Sequence, residues 1–303
     1  MSNYNIIQKR KIWLGFSIAL FVVAVASMIL WGLKFGIDFT GGSLLQVKFK
    51  GERPAVTQIE EALKSDSAVG QLNSLIIQPV GATDMELRFQ ETSEETHKAV
   101  VAALAKLAGA DGQLEEMRFD SVGPSIGKEL KQKSVNAIFF VLIAIVIYIS
   151  VAFRKVSKPV ASWKYGLSAL IALAHDAIIT LGVFAVLGKF MNVEINTPFV
   201  AAILTVIGYS VHDTIVVFDR IRENLPRSNE DFEGTVNTSL NQTLVRSINT
   251  SLTVILTLVA VLVFGGESIR PFALALTIGI AIGTYSSIFV ASPLLVVWEK
   301  WKK

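Results

Sequence analysis

TPFVAAILTVIGYSVHDTIVVF, residues 197–218, decides the fold class. A helix crosses roughly 30 Å of hydrocarbon with about 20 mostly apolar residues. This stretch supplies them, with His212 and Asp213 inside it. Five further stretches read the same way: residues 12–33, 134–153, 165–187 (containing His175 and Asp176), 246–264 and 272–297. Hydrophobic residues make up 52% of the chain and charged residues only 17%, a balance that suits a membrane protein and not a soluble one of this length. The expected fold is a polytopic α-helical membrane protein with six transmembrane helices.

The first span follows Lys9-Arg10-Lys11, as a signal peptide would. Its apolar run is too long for a signal peptide's core and no small-x-small site follows, so it reads as a retained anchor. Short loops orient a membrane protein by their Lys and Arg content. Lys9, Arg10 and Lys11 mark one side, with Arg154, Lys155, Lys158, Lys164, Arg220, Arg222, Arg227, Lys300, Lys302 and Lys303. The opposite short loops carry only Lys189 and Arg270. Both termini are therefore expected in the cytoplasm. Trp13, Trp31, Trp163, Trp298 and Trp301 fall at span ends, where amphipathic rings prefer the interface.

Between the first two spans lies a segment of about 100 residues, enough for one small domain. The expected layout is a tail over 1–11, the first helix over 12–34, an extracytoplasmic domain over 35–133, helices 2–6 over 134–299, and a tail over 300–303. Within the domain, 44–49 alternates apolar and polar as a strand does. Pro54 opens a helix to Lys64, with Val56, Ile59 and Leu63 on one face. Strands over 75–80 and 85–89 flank the hairpin Gly81-Ala82-Thr83-Asp84. A helix over 93–107, capped by Ser93, and a strand over 114–119 complete a split-βαβ, ferredoxin-like order. His97 reads as solvated on a polar helix face.

A net charge of +3 is too small to argue for nucleic acid, and the absence of cysteine excludes thiol chemistry and thiolate metal sites. There is no HExxH, nucleophile or phosphate-loop motif, so neither an enzyme nor a cofactor is expected. His175 with Asp176, and His212 with Asp213, are neighbours on helices and point about 100° apart, so no metal is expected there either.

An acid inside a span costs about 2.5–3.5 kcal/mol on insertion scales and so marks a candidate site. Asp176 falls near mid-membrane, and Asp213 about 7 Å inside the cytoplasmic edge at about 1.5 Å per residue. Arg246 enters the fifth span at a similar depth, which leaves an Asp213–Arg246 ion pair open. Two readings stand: a proton relay, in which protonating Asp213 releases Arg246, or a static buried pair tying two helices. Asp176 is either a further proton carrier or a neutral acid hydrogen-bonded to a neighbouring helix. Asp219, beside Arg220 and Arg222, reads as an interfacial charge. Gly279 and Gly283 form a GxxxG in the last span, extended by Ala275 and Ser286; it suits close helix packing or a seam with a partner subunit.

Three stretches carry a family resemblance. They are Gly36-Ile37-Asp38-Phe39-Thr40-Gly41-Gly42 after the first span, Val122-Gly123-Pro124-Ser125-Ile126-Gly127 before the second, and 208–224 (GYSVHDTIVVFDRIREN) followed by 241–246 (NQTLVR). Together they resemble the SecD/SecF family of the resistance-nodulation-division superfamily, on its SecF side, over essentially the whole chain. Many relatives carry Asn where this chain has His212, which bears on hydrogen bonding around Asp213. The resemblance implies one six-helix half of a two-half core, with SecD as the other half. It also implies the SecYEG channel and exported preprotein as partners, membrane lipid around the core, and a bacterial inner-membrane location. It links Asp213 and Arg246 to proton flow that drives export, with the proton as coupling ion. Gly36, Asp38, Gly41 and Gly42 form the family motif, expected as a tight turn between span and domain. A purely structural scaffold and a small-molecule exporter half are the competing functions.

Overall fold

The computed structural model describes residues 4–67, 69, 72, 74–90, 93–109, 114–154, 160–266 and 269–301. Lys155, Lys158, Lys302 and Lys303, used above for orientation, lie outside the described residues. The helices are α1 (Arg10–Trp31), α2 (Ile37–Thr40), α3 (Val56–Ser65), α4 (Glu94–Ala108), α5 (Pro124–Ala152), α6 (Ser162–Met191), α7 (Thr197–Asn224), α8 (Phe232–Phe264), α9 (Arg270–Ser286) and α10 (Ser292–Lys300). The strands are β1 (Gly42–Phe49), β2 (Ile76–Val80), β3 (Asp84–Phe89) and β4 (Leu114–Val122). The chain divides into two compact units, Met1–Lys34 with Ser134–Lys303, and Phe35–Lys133.

In the second unit the strands lie in the order β2-β3-β1-β4 with every neighbouring pair antiparallel, the ferredoxin-like arrangement expected from the element order. Alternation puts Leu45, Val47 and Phe49 of β1, and Met85, Leu87 and Phe89 of β3, on the buried face. Ile59 and Leu63 of α3, with Val100 and Leu104 of α4, complete that core. Ser93 caps α4, its hydroxyl accepting from the Thr96 amide at 3.3 Å. Pro54 lies outside α3, whose first residue follows Ala55; the Gln58 side chain accepts from the Ala55 amide at 2.9 Å.

His97 corrects the expectation of a solvated residue. It is buried, stacks on Phe119 with ring centroids 3.8 Å apart, and places Nε2 3.2 Å from Glu116 Oε1. It shares the face of Val100 and Leu104, at helical spacings of three and seven, so α4 turns it toward the sheet.

Among the described residues six helices are long and apolar enough to cross a membrane: α1, α5, α6, α7, α8 and the α9–α10 run. Two start well before their apolar runs. α5 begins at Pro124, and α8 begins at Phe232, where the Asp231 carboxylate accepts from the Gly234 amide at 2.8 Å. The early turns of α8 bury Val236 and Leu240, and Asn237 Oδ1 accepts from the Ile6 and Ile7 amides at 3.0 and 3.2 Å. Buried positions concentrate on α6, α7 and α9–α10, while α5 and α8 are mostly exposed.

Helix α9 does not run straight into α10. Ser287–Ala291 form a π-turn between them, and Pro293 follows. Proline has no N–H to bond the carbonyl four residues back, so the ladder widens there. The glycines before it face inward. A Cβ on Gly279 would meet Val206 Cγ2 at 2.3 Å and one on Gly283 would meet Ser210 Cβ at 2.9 Å. The GxxxG is thus the contact between α9 and α7 of this chain, which corrects the suggestion of a seam with a partner subunit.

Candidate functional site

Asp213 is buried on α7, and its Oδ1 accepts from the Ser247 hydroxyl of α8 at 2.5 Å. Its Oδ2 is buried without a hydrogen-bond partner among the described residues. A cavity of about 70 Å³ lies beside it, lined by Tyr209, His212, Asp213, Val216, Arg246, Ser247 and Thr250. That is room for water, which needs about 10–15 Å³. Arg246 therefore borders the same space as Asp213, as the helix depths suggested. Among the described residues, however, no ion pair joins them. Arg246 and Ser247 are neighbours on α8; Ser247 turns in to the carboxylate while Arg246 is exposed.

Asp176 is more fully enclosed, on α6. Its Oδ2 accepts from Ser210 Oγ of α7 at 2.6 Å and from Ser286 Oγ of α9 at 2.7 Å. Its Oδ1 lies 3.0 Å from His175 Nδ1. The neighbours His175 and Asp176 thus meet side chain to side chain although their Cβ directions differ. Among the described residues His175 Nε2 has no hydrogen-bond partner, and the ring lies near Tyr285, 6.4 Å between centroids. Tyr285 in turn is held to α1, with its hydroxyl 2.9 Å from Ser17 Oγ. Among the described residues no group of three His, Asp or Glu side chains is placed to hold a metal ion.

Serines and threonines fill the space between the two acids. Ser287 Oγ lies 2.9 Å from Thr214 Oγ1 and donates to the carbonyls of Gly283 and Ser210 at 2.9 and 3.4 Å. Ser210, Thr214, Ser247, Ser286 and Ser287 are all buried. Reading the sequence for charge found Asp213, Asp176 and Arg246 but passed over these hydroxyls. The available signal was small polar residues inside apolar spans, which commonly bond across helices. Asp219 pairs with Arg222 at 2.7 Å on the half-exposed end of α7, as an interfacial charge should.

The glycine motif belongs to the other unit. Gly36 precedes α2, a single helical turn where a tight turn was expected, and Asp38 is its second residue instead of a cap. Gly41 and Gly42 follow with φ of +74° and +120°, values that favour glycine. A Cβ on Gly41 would approach Pro124 Cα to 2.8 Å, and one on Gly127 would approach Gly41 N to 3.0 Å. Gly42 pairs with Val122 across the sheet. Two of the stretches singled out in the sequence thus pack on each other.

Comparison with known proteins fits this arrangement. The family described as Protein export membrane protein SecD/SecF, C-terminal, matches residues 102–301, and the SecD/SecF GG Motif matches residues 32–52. A protein translocase subunit SecF of Thermobaculum terrenum is 46% identical, over 97% of this chain and 94% of its own length. One from Synechocystis is 38% identical, over 97% and 93%. Among solved structures, SecDF from Thermus thermophilus, described as a translocon-associated membrane protein, superposes with a TM-score of 0.83 at 33% identity over 99% of this chain. A super-membrane-facing form of SecDF gives 0.70 at 32% identity. This chain spans 39% of the length of each of those SecDF chains.

Proposed function

The chain belongs to the SecD/SecF family of protein-export membrane proteins, among its SecF translocase subunits, and on that premise we propose that it pairs with SecD to turn proton flow into protein export. The observation that carries the reading is the setting of Asp213. It is a buried carboxylate with Oδ1 held by Ser247, Oδ2 without a hydrogen-bond partner among the described residues, and Arg246 across a small shared cavity. In this reading a proton binds at Oδ2, neutralises Asp213 and weakens its attraction to Arg246. The helices α7 and α8 that carry the two residues then have two arrangements to choose between.

The remaining assignments follow from the same reading. The partners are SecD, the SecYEG channel, an unfolded preprotein and the surrounding lipid, with no nucleic acid. The location is the bacterial cytoplasmic membrane with both termini in the cytoplasm, so the sheet unit faces outward toward the emerging polypeptide. The proton is the only coupling agent required. A purely structural scaffold is the rival, because topology and composition would be the same for it.

Asp213→Asn separates the two. The variant is assembled with SecD in sealed vesicles, complex formation is checked by co-purification, and export is measured with and without a proton gradient. Asn keeps the size and the Ser247 hydrogen bond but cannot cycle a proton. The expected result is intact assembly with loss of the gradient-driven component. Intact assembly with undiminished gradient-driven export would favour the scaffold.

A further inference from the structure

Asp176 has a cradle too well built for a bystander, and the hydroxyls that make it lead toward Asp213. Ser210 and Asp213 are three residues apart on α7, about 4.5 Å along its axis. Ser286 and Ser287 stand where α9 passes into the π-turn. Consecutive residues of an α-helix point about 100° apart, and here one hydroxyl reaches Asp176 on α6 while the next reaches Thr214 on α7. π-turns inserted in helices are frequent at functional sites. We propose that Asp176 and Asp213 form one coupled proton site, joined by the hydroxyls of Ser210, Ser286, Ser287 and Thr214. The proposal rests on the proton reading of Asp213.

The geometry supplies two hydrogen-bonding states. A hydroxyl has one donor and two acceptor positions and can rotate between partners. With Asp176 ionised, Ser210 and Ser286 both donate to Oδ2. Ser286 also has a second acceptor within reach, the Gly283 carbonyl at 3.1 Å. When a proton binds Oδ2, that oxygen becomes the donor, Ser286 Oγ accepts, and the Ser286 hydrogen turns to Gly283. Ser287 uses the same carbonyl at 2.9 Å, and the competition turns it toward Thr214 Oγ1 and the Asp213 carboxylate, with which Ser287 also interacts. No hydroxyl bond breaks: one proton enters at the carboxylate and leaves from it, and the hydroxyls only reorient. The other titratable or charged groups around the pair are His175 on α6, Tyr209 and His212 on α7, Arg246 on α8 and Tyr285 on α9.

The test compares Asp176→Asn, Ser286→Ala, Ser286→Thr and Asp213→Asn in the complete complex with SecD. Gradient-driven export is measured against pH, and protonated carboxyl groups are followed by infrared difference spectroscopy. Ser286→Ala and Asp176→Asn are each expected to lower the gradient-driven rate by about tenfold or more, roughly 1.4 kcal/mol on a barrier. Ser286→Ala should also displace the pH at half-maximal rate, and Ser286→Thr, which keeps the hydroxyl, should restore rate and pH profile together. The Asp176 carboxyl band should move in Asp213→Asn. If Ser286→Ala only lowers assembly or melting temperature, with an unchanged pH profile and an unmoved band, the cradle is structural and the inference fails. If Asp213→Asn abolishes gradient-driven export while Asp176→Asn and Ser286→Ala leave it intact, this inference falls and the function proposed above stands. If Asp213→Asn leaves export intact, the proton reading falls and takes this inference with it.

Discussion

Asp213 and Asp176 are both carboxylates in apolar helices, yet among the described residues one keeps an oxygen without a hydrogen-bond partner beside a cavity and the other is held from three directions. Ser247 therefore matters to Asp213 out of proportion to its size, since it binds Oδ1 directly at 2.5 Å from the neighbouring helix. Interhelical hydrogen bonds in membranes average about 0.6 kcal/mol and reach about 1.7. Ser247→Ala should then cost no more than about 2 kcal/mol in thermal or denaturant unfolding of the purified chain, while gradient-driven export drops sharply. A large stability loss with normal export would mean that the bond serves packing alone. Both acids and Arg246 were legible in the sequence because a charge in an apolar run stands out. Their serine partners were not, since they come from helices far apart in the chain and nothing local marks which serine faces inward. His97 was misread for a different reason. Its polar neighbours Glu95, Thr96 and Lys98 hid the spacing that sets it beside Val100 and Leu104.

Among the elements, α7 and α9 are the pair whose closeness makes the hydroxyl cluster possible. Gly279 brings α9 so near α7 that an added methyl would lie 2.3 Å from Val206 Cγ2. Gly279→Ala should therefore destabilise the purified chain by about 1–3 kcal/mol, the usual cost of overpacking. Val206→Ala should recover part of that loss, with a coupling above about 0.5 kcal/mol in a double-mutant cycle. Additive losses would show that the clash is relieved elsewhere. The six spans and the strand-helix order were readable because apolar length and alternation are local properties. The π-turn was not, because only Pro293 hints at it and a proline after a span more often ends a helix than widens one. The early turns of α8 escaped as well. They are amphipathic and bury Val236 and Leu240 under the N-terminal segment, a contact between chain regions more than 200 residues apart.

For the whole molecule, the exposed side of α8 sets the terms of assembly. Arg246, Thr250, Thr253 and Thr257 recur at helical spacing along it, and all are exposed in the isolated chain. Thr250 and Thr257 satisfy their own hydroxyls by donating to carbonyls of Arg246 and Thr253 at 2.9 and 3.0 Å, so the threonines tolerate lipid. Arg246 is different: an arginine at span depth costs about 2.5–3.5 kcal/mol unless polar groups or water meet it. A partner helix laid along this stripe would cover Arg246 and close the cavity beside Asp213, and in the function proposed here that helix belongs to SecD. The chain has no cysteine, so single cysteines report without interference. Thr253→Cys and Thr257→Cys, in complexes with SecD carrying its own single cysteines, should form crosslinks, while Ala169→Cys, buried inside the bundle, should form none. Crosslinks that weaken when a proton gradient is imposed would mean that the seam moves during turnover, as a relay between the halves requires. A complete complex that never crosslinks at α8 would place SecD against another face. Arg246 would then have to be met by lipid headgroups or water, and the pairing of Asp213 with a mobile seam would lose its support.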